Sequence, residues 1–356
     1  MDIGTRVITA LTPTANGGSD RASISADGRF IAFETSATNI GDGVNGESSD
    51  IIRLDRQDGA FRRASRGLAN AAANAGSEAP AISGDGRYVA FTSNASNLVA
   101  PAPTGGIEHL YLMDFQTGAL TLVDQNAQGA YGNKDVTALE TNAMSSDGSR
   151  LVFTTQAENL TTVNIGNVGD VLVRTRDPAT GAVSFQNVNR SNSGAIGMLS
   201  SSRGSISPNG RYVVFRSAAG TITPVPSMSG LYVRDLNANT VVTVALPAGY
   251  NTCDRARISD LGDVLMQCAP NAPMTAIQLF VAPLNSSTPR LVTRNIVGVA
   301  GNLSSANTFA ISADGGVIGF ESAANDLIPV DTNNHTDVFL SGDARRLDGF
   351  FGDGFE

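Results

Sequence analysis

The chain has no tryptophan, one lysine (Lys134), two histidines (His109 and His335) and two cysteines (Cys253 and Cys268) in 356 residues. So few histidines and cysteines leave no Cys/His metal set. No run of 18 apolar residues occurs, which excludes an ordinary membrane-spanning helix. The first residues, Met1-Asp2-Ile3-Gly4, have neither the basic segment nor the apolar core of a signal peptide. No G-x-S-x-G elbow, H-E-x-x-H or P-loop is present, so the common catalytic signatures are missing. Charged residues make up only 16 % of the chain, and no stretch holds the apolar period of an amphipathic helix.

The charges that are present sum to −9. Such a balance repels a nucleic-acid backbone or an anionic membrane surface at long range and leaves cationic or neutral partners. Glycine is abundant, at 38 residues, beside many Ser, Thr, Asn and Ala, a turn-rich composition that points to β structure.

One phrase occurs six times: SISADGRFIAFET from Ser23, AISGDGRYVAFTS from Ala81, AMSSDGSRLVFTT from Ala143, SISPNGRYVVFRS from Ser205, RISDLGDVLMQC from Arg257 and AISADGGVIGFES from Ala310. Each reads as a hairpin, with turn glycines at Gly28, Gly86, Gly148, Gly210, Gly262 and Gly315 supplying the positive φ that tight turns need. A polar loop follows, then a third apolar strand such as DIIRLD from Asp50 or GLYVRD from Gly230, and a fourth such as ALTLVDQ from Ala119. The turn glycines recur every 52 to 62 residues, the period of a four-stranded propeller blade.

The fold class expected is therefore all-β, a six-bladed β-propeller of four-stranded antiparallel blades spanning residues 1–343, with a tail at 344–356. The sixth copy lacks a fourth strand, and RVITALT from Arg6 reads like one. The strand at residues 6–11 is thus expected to complete the last blade and close the ring, removing two sheet edges.

The hairpin phrase S-x-D-G-R-x-[IVL]-x-F, as it stands around Asp27 and Asp85 and less perfectly around Asp147, resembles the TolB-type, WD-like propeller repeats of bacteria over residues 5 to 343. The separate N-terminal α/β domain of TolB has no counterpart here, so membership of the Tol complex is not implied. The resemblance implies a periplasmic or extracellular protein whose signal peptide this chain no longer carries. The ending LDGFFGDGFE from Leu347 resembles Phe/Gly/acid endings of exported Gram-negative proteins, and reads equally as an end packed on the last blade.

Four residues before the central apolar residue of each hairpin stand Asp20, Glu78, Glu140, Ser202, Asp254 and Asn307, followed in three copies by Arg21, Arg203 and Arg255. With the first strand of each blade innermost, this column would ring one channel mouth and bind a cation, a basic peptide or a polyhydroxylated ligand. The same residues could instead tie blade to blade, as repeat columns commonly do.

Asp331, Asn333 and Asp337 have a spacing that can gather hard oxygen ligands around Ca²⁺, with looser versions at Asp42 to Asn45 and Asp50 and at Asn164 to Asn167 and Asp170. Asx residues in loops also bond their own backbone, which is the competing reading. Cys253 and Cys268 flank the fifth hairpin almost symmetrically, so antiparallel pairing would set them nearly opposite, a separation compatible with a disulfide; two unrelated buried thiols are the alternative. The function expected is a binding module for a protein or a glycan. The alternatives are a polysaccharide- or peptide-acting hydrolase or lyase using the carboxylates, and an architectural part of an extracellular assembly.

Overall fold

A serine hydroxyl, an Asx side chain and a glycine build each turn of the repeated phrase. In the first copy the Ser25 hydroxyl donates to Asp27 Oδ1 at 2.6 Å and accepts the Phe30 N–H at 2.9 Å, while Asp27 also accepts the Arg29 N–H at 3.0 Å. Gly28 takes φ +71° at the tip. Ser83–Asp85, Ser145–Asp147, Ser207–Asn209 and Ser312–Asp314 repeat the device. In the fifth copy Leu261 stands where the Asx should be, and Asp263 provides the carboxylate instead, accepting from Ser259 at 3.2 Å. That hairpin is one residue tighter, pairing Ile258 with Val264 where the first copy pairs Ile24 with Ile31.

The arginine of the phrase braces the hairpin against the third strand. Arg29 grips Asp55 through two nitrogens at 2.9 and 2.7 Å, Arg87 grips Asp114 at the same distances, and Arg211 reaches Asp235 at 3.1 and 2.8 Å. These bidentate pairs hold the carboxyls of Asp55 and Asp114 down at about 2.

The computed structural model describes residues 9–41, 48–103, 106–162, 168–197, 199–219, 222, 230–271, 275–329 and 335–342. The strands form six antiparallel sheets. Blade 1 holds Ser19–Ile24, Phe30–Thr35, Asp50–Asp55 and Phe61–Arg63, and blade 2 holds Ser77–Ile82, Tyr88–Ser93, His109–Asp114 and Ala119–Leu122. Blade 3 runs from Val136–Ala138 to Val183–Asn187, blade 4 from Ser201–Ile206 to Thr240–Thr243, and blade 5 from Tyr250–Ile258 to Arg290–Leu291. Blade 6 has three described strands, Ser305–Ile311, Val317–Ser322 and Asp337–Gly342. The chain is a six-bladed β-propeller.

Met1–Asp124 forms one compact unit, holding blades 1 and 2, and Gln125–Glu356 forms another, holding blades 3 to 6. Of the strand expected to complete the last blade, Arg6, Val7 and Ile8 lie outside the described residues, and Thr9 to Leu11 are in no strand. The tail at 344–356 also lies outside them.

In blades 1 to 5 the second and third strands are buried on both faces, which is why they read as continuous apolar runs, whereas in blade 6 they alternate, with Val317 and Val338 exposed. In blades 2, 4 and 6 aromatic rings stack across this pair: Phe91 on Tyr111, Phe215 on Tyr232 and Phe320 on Phe339, with centroids 5.6, 5.8 and 5.4 Å apart. Within the second unit apolar clusters knit neighbours together, Val152 and Val171 of blade 3 packing with Val213 and Phe215 of blade 4.

A backbone link also recurs between neighbouring turns. The N–H after the turn serine bonds the matching carbonyl of the next blade: Ala26 to Gly84, Ser146 to Pro208 and Asp260 to Ala313. Pro208 has no N–H to pass on, and the Asn209 N–H bonds Asp260 Oδ1 at 2.7 Å in its place.

Two outcomes are expected. Ser83 is fully buried and serves both sides of its turn, so Ser83→Ala should lower the unfolding free energy in urea by about 1–3 kcal/mol. The depressed carboxyls of Asp55 and Asp114 give stability that is complete above the ordinary aspartate range and is lost as pH falls from about 4 towards 2. An acid titration of Tm should therefore flatten in that window for the double variant Arg29→Gln/Arg87→Gln.

Candidate functional site

A bulge sets the direction of the acidic column. Arg21, Ala79 and Arg203 take positive φ of 48°, 54° and 57°, and strand pairing slips between Asp20 and Ser23, Glu78 and Ala81, and Ser202 and Ser205. In blade 3 the first strand stops at Ala138 and Glu140 lies in a turn, its carbonyl accepting the Ala143 N–H at 3.0 Å.

The structure pairs most of this column with arginine. In the first unit Arg21 Nη1 lies 3.2 Å from Glu78 and 3.7 Å from Glu34, so two carboxylates share one nitrogen. Burial pushes the Glu34 carboxyl up, against the Ala79 N–H and Arg21, which favour its charge. In the second unit Arg203 and Arg216 both reach Asp254, at 3.4 and 3.1 Å. Arg21 therefore ties blade 1 to blade 2, and Arg203 ties blade 4 to blade 5, through the carboxylate of the next copy. Arg255 lies opposite Gln267 on the neighbouring strand, and Asn307 falls in the first strand of blade 6.

Glu140 makes the pair that matters most. It lies 3.3 Å from Arg257 of blade 5, and both side chains are largely buried, at 14 % and 7 % exposure. The Arg257 guanidinium also sits 5.4 Å from the centroid of Phe309 in blade 6. One side chain thus touches blades 3 and 6 from blade 5. Burial pushes Arg257 down from the usual arginine range, and Glu140 opposes the shift. Arg257, Glu34 and Arg216 were not among the residues expected from the sequence. The signal for Arg257 was present, because the position is Ser or Ala in the other five copies.

A second polar column clasps blades 1, 2, 3 and 5 from within. The side chain that begins the third strand bonds one near the fourth: Ser65 donates to Asp50 at 2.7 Å, His109 meets Asp124 at 2.8 Å, Asn189 donates to Asp170 at 2.7 Å, and Thr293 donates to Gln278. His109 and Asp124 are 2 % and 0 % exposed, so their likeness to a catalytic dyad is the blade 2 form of this clasp. Asp337, expected as a Ca²⁺ ligand, stands at the same strand position as Asp50 and Asp170 and is buried like them. Asp331 and Asn333 lie outside the described residues, as do Asp42 to Asn45 and Asn164 to Asn167. Among the described residues no group of three His, Cys, Asp or Glu side chains could hold a metal ion.

Cys253 and Cys268 are directly paired in the register of blade 5 and form a disulfide, their Cα atoms 4.1 Å apart. A disulfide fits an oxidising compartment. No described helix is long and apolar enough to cross a membrane.

No family model matches the chain, and no curated protein matches it in sequence. Solved structures are similar in fold. The tricorn protease has a TM-score of 0.53 at 9 % identity, covering 95 % of this chain and 34 % of that one. The acylaminoacyl peptidase of Pyrococcus horikoshii has a TM-score of 0.51 at 12 % identity, covering 94 % and 46 %. This chain therefore spans less than half the length of either peptidase. TolB structures are also among the matches, as the repeat phrase implied: the putative TolB from Agrobacterium tumefaciens has a TM-score of 0.47 at 14 % identity, covering 81 % and 85 %. Likeness at these identities is one of fold alone.

The two carboxylates of the column should respond differently to neutralisation. Glu78 is 53 % exposed, so Glu78→Gln should change stability by less than about 1 kcal/mol. Glu140→Gln leaves the buried Arg257 charge without its partner and should cost about 3–5 kcal/mol in urea unfolding. Replacing both cysteines by alanine should cost a further sum of about 2–4 kcal/mol, read the same way, because the bond closes a loop with a sequence separation of 15.

Proposed function

We propose that this chain is a periplasmic or extracellular binding module that holds another protein through a surface that breaks the repeat. The observation that carries this reading is the link after blade 5. Links after blades 2, 3 and 5 form the same hairpin, with N–H to carbonyl bonds of 2.9 Å from Asn126 to Ala130, 2.7 Å from Ser191 to Ala195 and 2.8 Å from Asn295 to Val299. Gly129, Gly194 and Gly298 take positive φ at the three tips. In blades 2 and 3 the tip residues are Ala127-Gln128 and Asn192-Ser193, so the turn itself needs no apolar side chain.

Blade 5 nevertheless carries Ile296, Val297 and Val299 there, 68 %, 76 % and 60 % exposed, with Leu303 beside them at 47 %. Residues 295–308 contain no charged side chain. Exposed apolar groups held on a rigid turn mark a contact surface, and the lack of charge suits an apolar groove on a protein better than the hydroxyl array of a glycan. The disulfide supports an oxidising compartment.

A hydrolase or lyase is the second reading. What favours it is Glu34 and Glu78 gathered on Arg21, with the Glu34 carboxyl raised by burial, the kind of asymmetry an acid and a base require. The peptidases of similar fold are enzymes by name, and their activity comes to this chain only as part of that reading.

The test grafts the blade 3 tip onto blade 5, as Ile296→Asn, Val297→Ser and Val299→Ala. Tm should move by less than about 2 °C, since the turn is unchanged. A photo-crosslinker placed at residue 302 in the native host should give one protein adduct of defined mass that the graft abolishes. An adduct that survives the graft, or a carbohydrate adduct, contradicts the proposal. Turnover of polysaccharide or peptide that is lost in Glu34→Gln would establish the second reading in its place.

A further inference from the structure

The link between blades 1 and 2 departs from its counterparts in another way. No glycine stands at its tip. After Phe61–Arg63 the chain runs through Arg66, Gly67 and a short 3₁₀ turn, Leu68–Asn70, in which Ala69 and Asn70 take φ of 55° and 65° in succession. Left-handed backbone at alanine is disfavoured by crowding at Cβ and persists only where surrounding bonds impose it. Here those bonds run from Gly67 N–H to the Ala71 carbonyl at 2.8 Å, from Leu68 N–H to the Asn97 carbonyl at 2.9 Å and from Asn70 N–H to the Gly67 carbonyl at 3.1 Å.

Beside this turn is an open groove of about 310 Å³, lined by residues 66–70 of the turn and by Leu98, Gly118 and Leu120. The size is at the lower end of the range for small-ligand sites, about 300–1,000 Å³. Leu98 is buried and fixed, while Leu68 stands at the rim, half exposed. Arg66 crosses to blade 2, where Nη2 donates to the Gly118 carbonyl at 2.8 Å. A Cβ at position 118 would lie 3.1 Å from that nitrogen, so glycine there makes room for the guanidinium. One bond leaves most of the five guanidinium donors for other acceptors. Arg29, Arg87 and Arg211 are each closed by an aspartate, but among the described residues no carboxylate pairs with Arg66.

We propose that this groove binds a compact carboxylate that carries a branched aliphatic group. The guanidinium offers paired donors that match the two oxygens of a carboxylate, and Leu68, Leu98 and Leu120 line the same groove. The volume limits the ligand to roughly the size of a dipeptide. A free branched-chain acid and the C-terminal leucine or valine of a peptide share this chemistry.

Titration of the full chain by calorimetry and by amide chemical shifts, using isovalerate, N-acetyl-leucine, acetyl-Gly-Leu and the C-terminal amide of acetyl-Gly-Leu, tests the assignment. The acids should saturate, and the amide should bind at least about tenfold more weakly, because it lacks the charge that Arg66 recognises. Tightest binding by acetyl-Gly-Leu identifies a peptide terminus as the source, and tightest binding by isovalerate a free acid. Arg66→Gln should lose about tenfold in affinity for the acids. Leu68→Ser, at the exposed rim, should weaken binding about threefold or more with Tm unchanged. Equal binding of acid and amide to the native chain overturns the proposal. So does the absence of saturation at roughly 10 mM acid, and so does full affinity in Leu68→Ser should Arg66→Gln fail to fold.

Discussion

Each hairpin of this chain depends on one buried or half-buried serine hydroxyl that donates to a carboxylate or amide oxygen and accepts the N–H that opens the next strand. The hydroxyl satisfies a backbone group the turn would otherwise leave bare, and it orders the Asx side chain that shapes the tip. In blades 1, 2 and 4 the arginine beyond that corner pairs with the aspartate that ends the third strand, and in blades 2, 4 and 6 the second and third strands stack aromatic rings on each other. Blade 5 shows how strong the requirement is. Leu261 stands in place of the Asx there, and a carboxylate two residues on, Asp263, accepts from the same hydroxyl.

The recurring charges act in the same structural sense. Arginine after the bulge in one blade pairs with the carboxylate of the next, so the column that reads as an acidic rim is largely neutralised where it stands. Glu140 and Arg257 carry this furthest, joining blades that are not neighbours in sequence. The copies differ elsewhere, in an uncharged, apolar tip after blade 5 and in the left-handed Ala69 and Asn70 after blade 1.

The strand order and all six turns were legible in the phrase itself, because Ser, Asx and Gly at fixed spacing have one physical use. The disulfide was legible for a related reason: Cys253 and Cys268 sit almost symmetrically about a turn whose position was known. Which carboxylate each arginine beside the acidic column reaches was not legible. Arg21 and Arg203 reach the next blade only because they adopt left-handed backbone, which no residue other than glycine or asparagine advertises in sequence. Ala69 hid the turn after blade 1 in the same way. Arg257 could have been found, as a charge in a column of small residues, but its partner could not, since Glu140 lies more than a hundred residues away in a turn that interrupts its strand. The expected Ca²⁺ loops fall where only Asp50, Asp170 and Asp337 are described, and the first two of these bond neighbouring side chains of their own blade.

Native-state hydrogen exchange at the amides of Phe30, Tyr88, Arg150, Tyr212, Asp263 and Val317 tests the central claim most directly, because each donates to a turn serine hydroxyl. These amides should exchange only through cooperative opening of the blades that contain them, with the same denaturant dependence as the second and third strands beside them. Exchange by local fraying, independent of denaturant, at these positions would contradict the account.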